Sequence, residues 1–225
     1  MIKNSRHIEN RLEWIELLRF VSIICVVIIH SLGGFLDAIH GSENWWIFNV
    51  INSITHFCVP IFVMISGTLL LKNDVSLSLF LKKRFTRILF PFIFWSLILF
   101  IGNMVLDRPL SQNSVIISFF SDFFNNEINS VYWFVYMLIG LYLITPILSK
   151  WLNYCKNIQI EYFLLIWIFS LFTNLFQFLD TSFNLGYFSG YIGYFVLGYY
   201  LSIKKIDKKN SLGLSIFLIM FGSII

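Results

Sequence analysis

Charge is what this sequence has least of. Asp, Glu, Lys and Arg make up 12% of its 225 residues, against about 25% in a soluble domain. The hydrophobic share is 58%, which excludes an ordinary water-soluble fold and points to a protein embedded in lipid. Cysteine is scarce as well. Cys25, Cys58 and Cys155 are odd in number and have no framework spacing, so neither a disulfide set nor a metal site follows. No Gly-rich phosphate loop, metal-ligand cluster or nucleophile elbow is present. There is no internal repeat, low-complexity tract or separate soluble domain either, and nothing implies a nucleic-acid partner. Residues 1–225 read as a single domain whose partner throughout is the bilayer.

Apolar stretches supply the architecture. Seven can be marked, at about 14–36, 47–71, 88–106, 131–149, 161–179, 185–203 and 211–225, most of them near the ~20 residues a helix needs to cross a membrane. The expectation is an all-α, polytopic transmembrane helix bundle. Placing the N-terminus in the cytoplasm puts every Lys and Arg except Arg108 on an inner segment, as the positive-inside rule requires. Outer loops then collect Asp37, Glu43, Asp107, Asp122, Glu127 and Asp180. Trp45, Trp46, Tyr132 and Trp133 fall at outer interfaces, and Trp14 and Trp151 at inner ones. This is a multi-pass protein of the cytoplasmic (inner) membrane. A cleaved signal peptide explains the basic leader but not the long first run, which lacks a small-x-small cleavage site. In the outer loop 107–130, residues 114–124 are amphipathic enough to lie along the interface.

The first apolar run holds the residues hardest to explain by packing. Arg19 stands near its start and His30 deeper in, and ionisable side chains inside hydrocarbon are costly. Eleven residues at about 100° each return the helix to the same face roughly 16 Å further on. Glu16 lies near that stripe. A snorkelling arginine or a hydrogen-bonded core histidine would explain either residue alone; the two on one stripe point to function.

The second run carries His56 toward its outer end, Pro60, which removes a backbone donor and predicts a kink, and Ser66-Gly67, which suit close helix approach. Arg84 and Arg87 precede the third run three residues apart, hence on one helix face. Paired guanidinium groups at a cytoplasmic mouth suit a phosphate-bearing ligand, with anionic lipid headgroups as the other partner of the same chemistry. The glycines and tyrosines between 186 and 200 suit helix packing.

Several of these segments together resemble a known family. They are E-L-L-R, ten residues, then H in the first span; V-P-I-F-V-M-I-S-G-T-L-L in the second; and R-F-T-R-I-L-F-P before the third. Y-W-F with L-Y-L and P in the fourth, and Y-F-V-L-G-Y-Y-L in the sixth, complete the set. Their order and spacing are similar to those of the acyltransferase-3 family of integral membrane acyltransferases. The first two spans are most similar to the branch containing the enterobacterial common antigen O-acetyltransferase.

The resemblance implies transfer of an acyl group, usually acetyl from acetyl-CoA, to a hydroxyl of a surface or lipid-linked glycan, with no cofactor bound. It implies that His30 is catalytic, that Arg19, Arg84 and Arg87 handle the acyl donor, and that Glu16, His56, Ser66 and Trp133 support the site. Thr68 departs from the aromatic that usually follows Ser-Gly. The family has about ten spans of membrane-crossing length, so the resemblance also implies that C-terminal spans are missing. Two other readings of the residues stay open: a transporter of a lipid-linked sugar or proton with His30 as relay, and an inactive remnant.

Overall fold

The computed structural model describes residues 2–32, 41–72, 76–106, 115–175 and 190–204, and these are mostly helical. The helices are α1 (Ile2–Leu32), α2 (Glu43–Thr55), α3 (Cys58–Leu70), α4 (Leu77–Leu106), α5 (Val115–Phe124), α6 (Trp133–Tyr154), α7 (Asn157–Leu175) and α8 (Ile192–Ile203). Four segments are long and apolar enough to cross a membrane: Glu13–Leu32, Glu43–Leu70, Leu77–Val105 and Ser130–Tyr154. They meet the first four expected spans. Shorter apolar helices, Asn157–Leu171 and Ile192–Ile203, stand where the fifth and sixth were expected. The seventh, 211–225, lies outside the described residues. Among the described residues every regular element is a helix, as the pattern of apolar runs predicts.

The chain divides into two units. One combines Met1–Lys72 with Cys155–Ile225; the other is Asn73–Tyr154.

In the first unit, α8 is the most enclosed element, with every residue from Gly193 to Tyr200 buried. It crosses α3 at two reciprocal glycines. A Cβ on Gly67 would lie 1.9 Å from the Phe195 carbonyl oxygen, and one on Gly198 would lie 2.0 Å from that of Met64. Only hydrogen fits at either place. The buried Thr68 hydroxyl donates to the Gly198 carbonyl at 2.8 Å, tying the two backbones where they meet. On α7, the indole of Trp167 fills the space that Gly193 leaves open, and its Nε1 donates to the Gly190 carbonyl at 3.3 Å. Lys204, just past α8, pairs with Glu161 of α7 at 3.1 Å, and Tyr200 donates to the same carboxylate.

The second expected span is broken into α2 and α3 by a turn at His56–Phe57. Pro60 explains the position. It cannot donate to the carbonyl four residues back, that of His56, and its ring crowds that oxygen. The helix also begins earlier than its apolar run, because Ser42 caps α2 by accepting from the Trp45 amide at 3.2 Å. His56 therefore falls near the middle of Glu43–Leu70 rather than toward its outer end.

The second unit is held by aromatic edges. Phe92 of α4 has the rings of Phe123, Tyr132 and Tyr136 around it at 5.1, 5.1 and 5.2 Å. Phe100 of α4 meets Phe119 of α5 at 5.2 Å. The Tyr136 hydroxyl donates to the Phe123 carbonyl, and Asn103 donates to that of Ile128 at 3.2 Å. The short helix α5 thus turns Phe119 and Phe123 inward and leaves Ile116, Phe120 and Phe124 exposed, the two-faced character expected of residues 114–124.

Candidate functional site

Helix α1 is unbroken from Ile2 to Leu32, so the spacing argument for Arg19 and His30 applies to a continuous helix. Its buried stripe is Ile15, Ser22 and Cys25, three positions that share a face and turn inward. Arg19 and His30 lie on the flank of that stripe, and both are exposed, as is Glu16. His30 stands in the last turn of α1, about 16 Å of helix rise from Arg19. Within Glu13–Leu32, Arg19 therefore stands about a third of the way along and His30 near the far end.

Arg84 and Arg87 both lie on α4, whose helix starts at Leu77 and carries them one turn apart. Their surroundings differ. Arg87 is exposed, whereas Arg84 is half-buried. The Arg84 guanidinium carbon sits 5.8 Å from the Phe80 ring centroid and 5.9 Å from that of Tyr142, within the range of cation–π attraction. The two rings meet edge-on at 6.2 Å, forming a corner around the cation. Its Nε is buried and has no hydrogen-bond partner among the described residues. A buried guanidinium nitrogen without an acceptor is costly, and the two rings offset part of that cost by holding the cation between them. Trp133, at the start of α6, is 40% exposed.

His56 is exposed at the α2–α3 break. Its Nδ1 lies 2.7 Å from the Asn52 carbonyl oxygen. A carbonyl only accepts, so Nδ1 carries the hydrogen and, in the neutral ring, Nε2 carries the lone pair. Asn52 is itself half-buried, with its side-chain Oδ1 enclosed and unpartnered among the described residues. Ser66 is half-buried beside the glycine crossing of α3.

The expected site residues fall into two sets. Glu16, Arg19, His30, His56 and Ser66 belong to the first unit, and Arg84, Arg87 and Trp133 to the second. Within the first, Glu16, Arg19 and His30 share one helix; within the second, Arg84 gains an aromatic corner. Phe80 was legible as a neighbour one turn before Arg84, but Tyr142 comes from another helix and has no sequence signal linking it. The polar positions Asn49, Asn52 and Ser53 carried a signal that was readable, a helical spacing leading up to His56.

In Cys155, in the turn between α6 and α7, burial pushes the thiol up from its ordinary value. The group stays protonated and is a poor nucleophile.

A family model described as an acyltransferase domain, that of acyltransferase family 3, matches residues 12–225. No curated protein and no solved structure matches the chain.

Proposed function

Because the chain belongs to the acyltransferase 3 family, and is thus a multi-pass membrane acyltransferase, we propose that it moves an acetyl group from acetyl-CoA to a hydroxyl of a surface or lipid-linked glycan in the inner membrane. The observation that carries the reading is the placement of Arg19 and His30 on one flank of the unbroken helix α1. Acyl-CoA docks at the cytoplasmic side, where its phosphates meet guanidinium groups. Within the second unit, Arg84 suits this role through its half-buried guanidinium held between Phe80 and Tyr142 and Arg87 through its exposure one turn away. Within the first unit, Arg19 on α1 is exposed and suits the same chemistry. An extended pantetheine arm is on the scale of the roughly 16 Å that separates Arg19 from His30.

At His30 the imidazole takes the proton of the acceptor hydroxyl as general base, or carries the acyl group transiently itself. The balance is the same in both cases. The thioester C–S bond breaks, an ester C–O bond forms, and the hydroxyl proton ends on the CoA thiol. Glu16, one turn before Arg19 and like it exposed, is the acid that the family resemblance places beside that guanidinium. The glycan class follows the resemblance of the first two spans to the branch of the enterobacterial common antigen O-acetyltransferase.

Acetyl incorporation into surface glycan, measured by mass spectrometry, tests the proposal. Arg19→Ala and His30→Ala are each expected to lower incorporation by about 100-fold or more, the scale of acid–base catalysis. Near-wild-type transfer in both variants overturns it. A transporter would release no CoA when acceptor is added, whereas the enzyme releases one CoA for each ester formed.

A further inference from the structure

Helix α2 is polar on one face for its whole length, although it belongs to a membrane-crossing segment. Trp45, Asn49, Asn52 and His56 recur at helical spacing, with Ser53 beside them, and fall within roughly 100° of the helix circumference. The opposite side is apolar and open, with Ile47, Val50 and Ile54 at 56%, 53% and 59% exposure. Lipid accounts for that side. It does not account for two amides, a hydroxyl and an imidazole on the other, because polar side chains at membrane depth face protein or a water-filled cavity.

The chemistry of this face narrows its occupant. Glu43 is the only formal charge between 43 and 70, and it stands at the first position of α2. An ion on the polar face would meet no countercharge from this segment itself. What the face offers is uncharged hydrogen bonding. The Asn52 Oδ1 is enclosed and unpartnered among the described residues, an acceptor awaiting a donor. The Ser53 hydroxyl donates its proton to the Asn49 carbonyl at 2.8 Å, so its lone pairs remain to accept. The His56 Nδ1–H is held by the Asn52 carbonyl at 2.7 Å, which points to Nε2 as a further acceptor in the neutral ring. One turn or more toward the outside, Trp45 and Trp46 meet edge-on at 4.8 Å, presenting large apolar rings beside the polar stripe. Several acceptors in a row, two amides and an indole match an uncharged polyol, whose hydroxyls are donors and whose C–H faces are apolar.

Resting on the acetyl-transfer reading above, we propose that this face of α2 holds the acceptor glycan: Asn49, Asn52, Ser53 and the His56 Nε2 bind an uncharged, polyhydroxylated segment, with Trp45 packing against its C–H face. These are binding and specificity residues for the acceptor, separate from the donor-handling arginines.

The test uses the full chain in lipid nanodiscs with labelled acetyl-CoA. The acceptor probes are the uncharged and the anionic lipid-linked oligosaccharide fractions extracted from the expressing cells. The double variant Asn49→Leu with Asn52→Leu keeps side-chain size and helix preference while removing the amides. It is expected to raise the KM for the uncharged fraction at least tenfold. The acetyl-CoA KM and the slow acceptor-free release of CoA should stay within twofold of wild type. His56→Phe should show the same selective rise, and His56→Gln, which can still present an acceptor oxygen, should restore much of it. Val50→Leu on the lipid side is the control and should change nothing.

An unchanged KM for the uncharged fraction in the double variant overturns the proposal. So does a uniform fall in all parameters with a lowered Tm, which would make the stripe a helix-packing surface, or transfer confined to the anionic fraction. Wild-type protein that neither acetylates any fraction nor releases CoA would instead defeat the acetyl-transfer reading itself.

Discussion

The two units hold their helices together by opposite means. Where α3 crosses α8, side chains have been taken away: Gly67 and Gly198 let each backbone touch the other, and Thr68 bonds across. Where α4 meets α5 and α6, side chains have been added, with Phe92 ringed by three aromatic neighbours. Both solve the same problem. Lipid is as apolar as a leucine side chain, so helices in a membrane gain little from hydrophobic burial and associate through packing and interhelical hydrogen bonds. The lesson lies in tolerance. A glycine crossing cannot accept one more carbon, and an aromatic cluster cannot lose one ring.

The sharpest way to break the contrast is Gly198→Ala. Its new methyl would overlap the backbone of Met64, which has no rotamer to move aside. The first unit is expected to lose about 4 kcal/mol or more, the range reserved for severe overpacking, read as a large drop in the thermal unfolding midpoint in detergent. The same substitution at Gly140, which has nothing within 4 Å of a Cβ, should be close to neutral. Next in size is Phe92→Ala in the second unit, expected to cost about 3–5 kcal/mol as a large-to-small core change. Phe92→Leu should recover much of that loss, whereas no larger residue recovers anything at Gly198. The smallest effect is Thr68→Val. It keeps the shape but removes the donor to Gly198, at a cost of about 1 kcal/mol, measurable by the same melts. A Thr68→Val protein as unstable as Gly198→Ala would show that the hydrogen bond, rather than the close approach, holds the crossing.

Much of this was legible before any coordinates. Long apolar runs dictate helices, and the helices follow them because every backbone polar group in lipid must be satisfied within its own segment. Arg19 and His30 could be placed on one face from spacing alone, since α1 has nothing to interrupt it. The break in the second span was visible in Pro60, but not its exact consequence for His56, because the Ser42 cap starts α2 ahead of the apolar run. In the sequence Thr68 is merely a departure from a pattern; Gly198 opposite it gives its hydroxyl a partner. That partner lies 130 residues away, and no periodicity links them. Tyr142 beside Arg84 was invisible for the same reason. Spacing reports on residues that share a helix; it is silent about which helix comes to meet them.

That separation bears on how the protein is made. The second unit draws on one uninterrupted stretch, Asn73–Tyr154, whereas the first is assembled from two stretches on either side of it. A ribosome delivers sequence in order, and domains tend to fold as they emerge. The middle of the chain therefore has all its own partners once Tyr154 has been synthesised, while α3 has been waiting since Lys72. Until α8 is inserted, the notch at Gly67 is empty and the Thr68 hydroxyl has no carbonyl to bind. Helix α3, inserted soon after the helix that carries Arg19 and His30, meets α1 long before its other face is closed by α8.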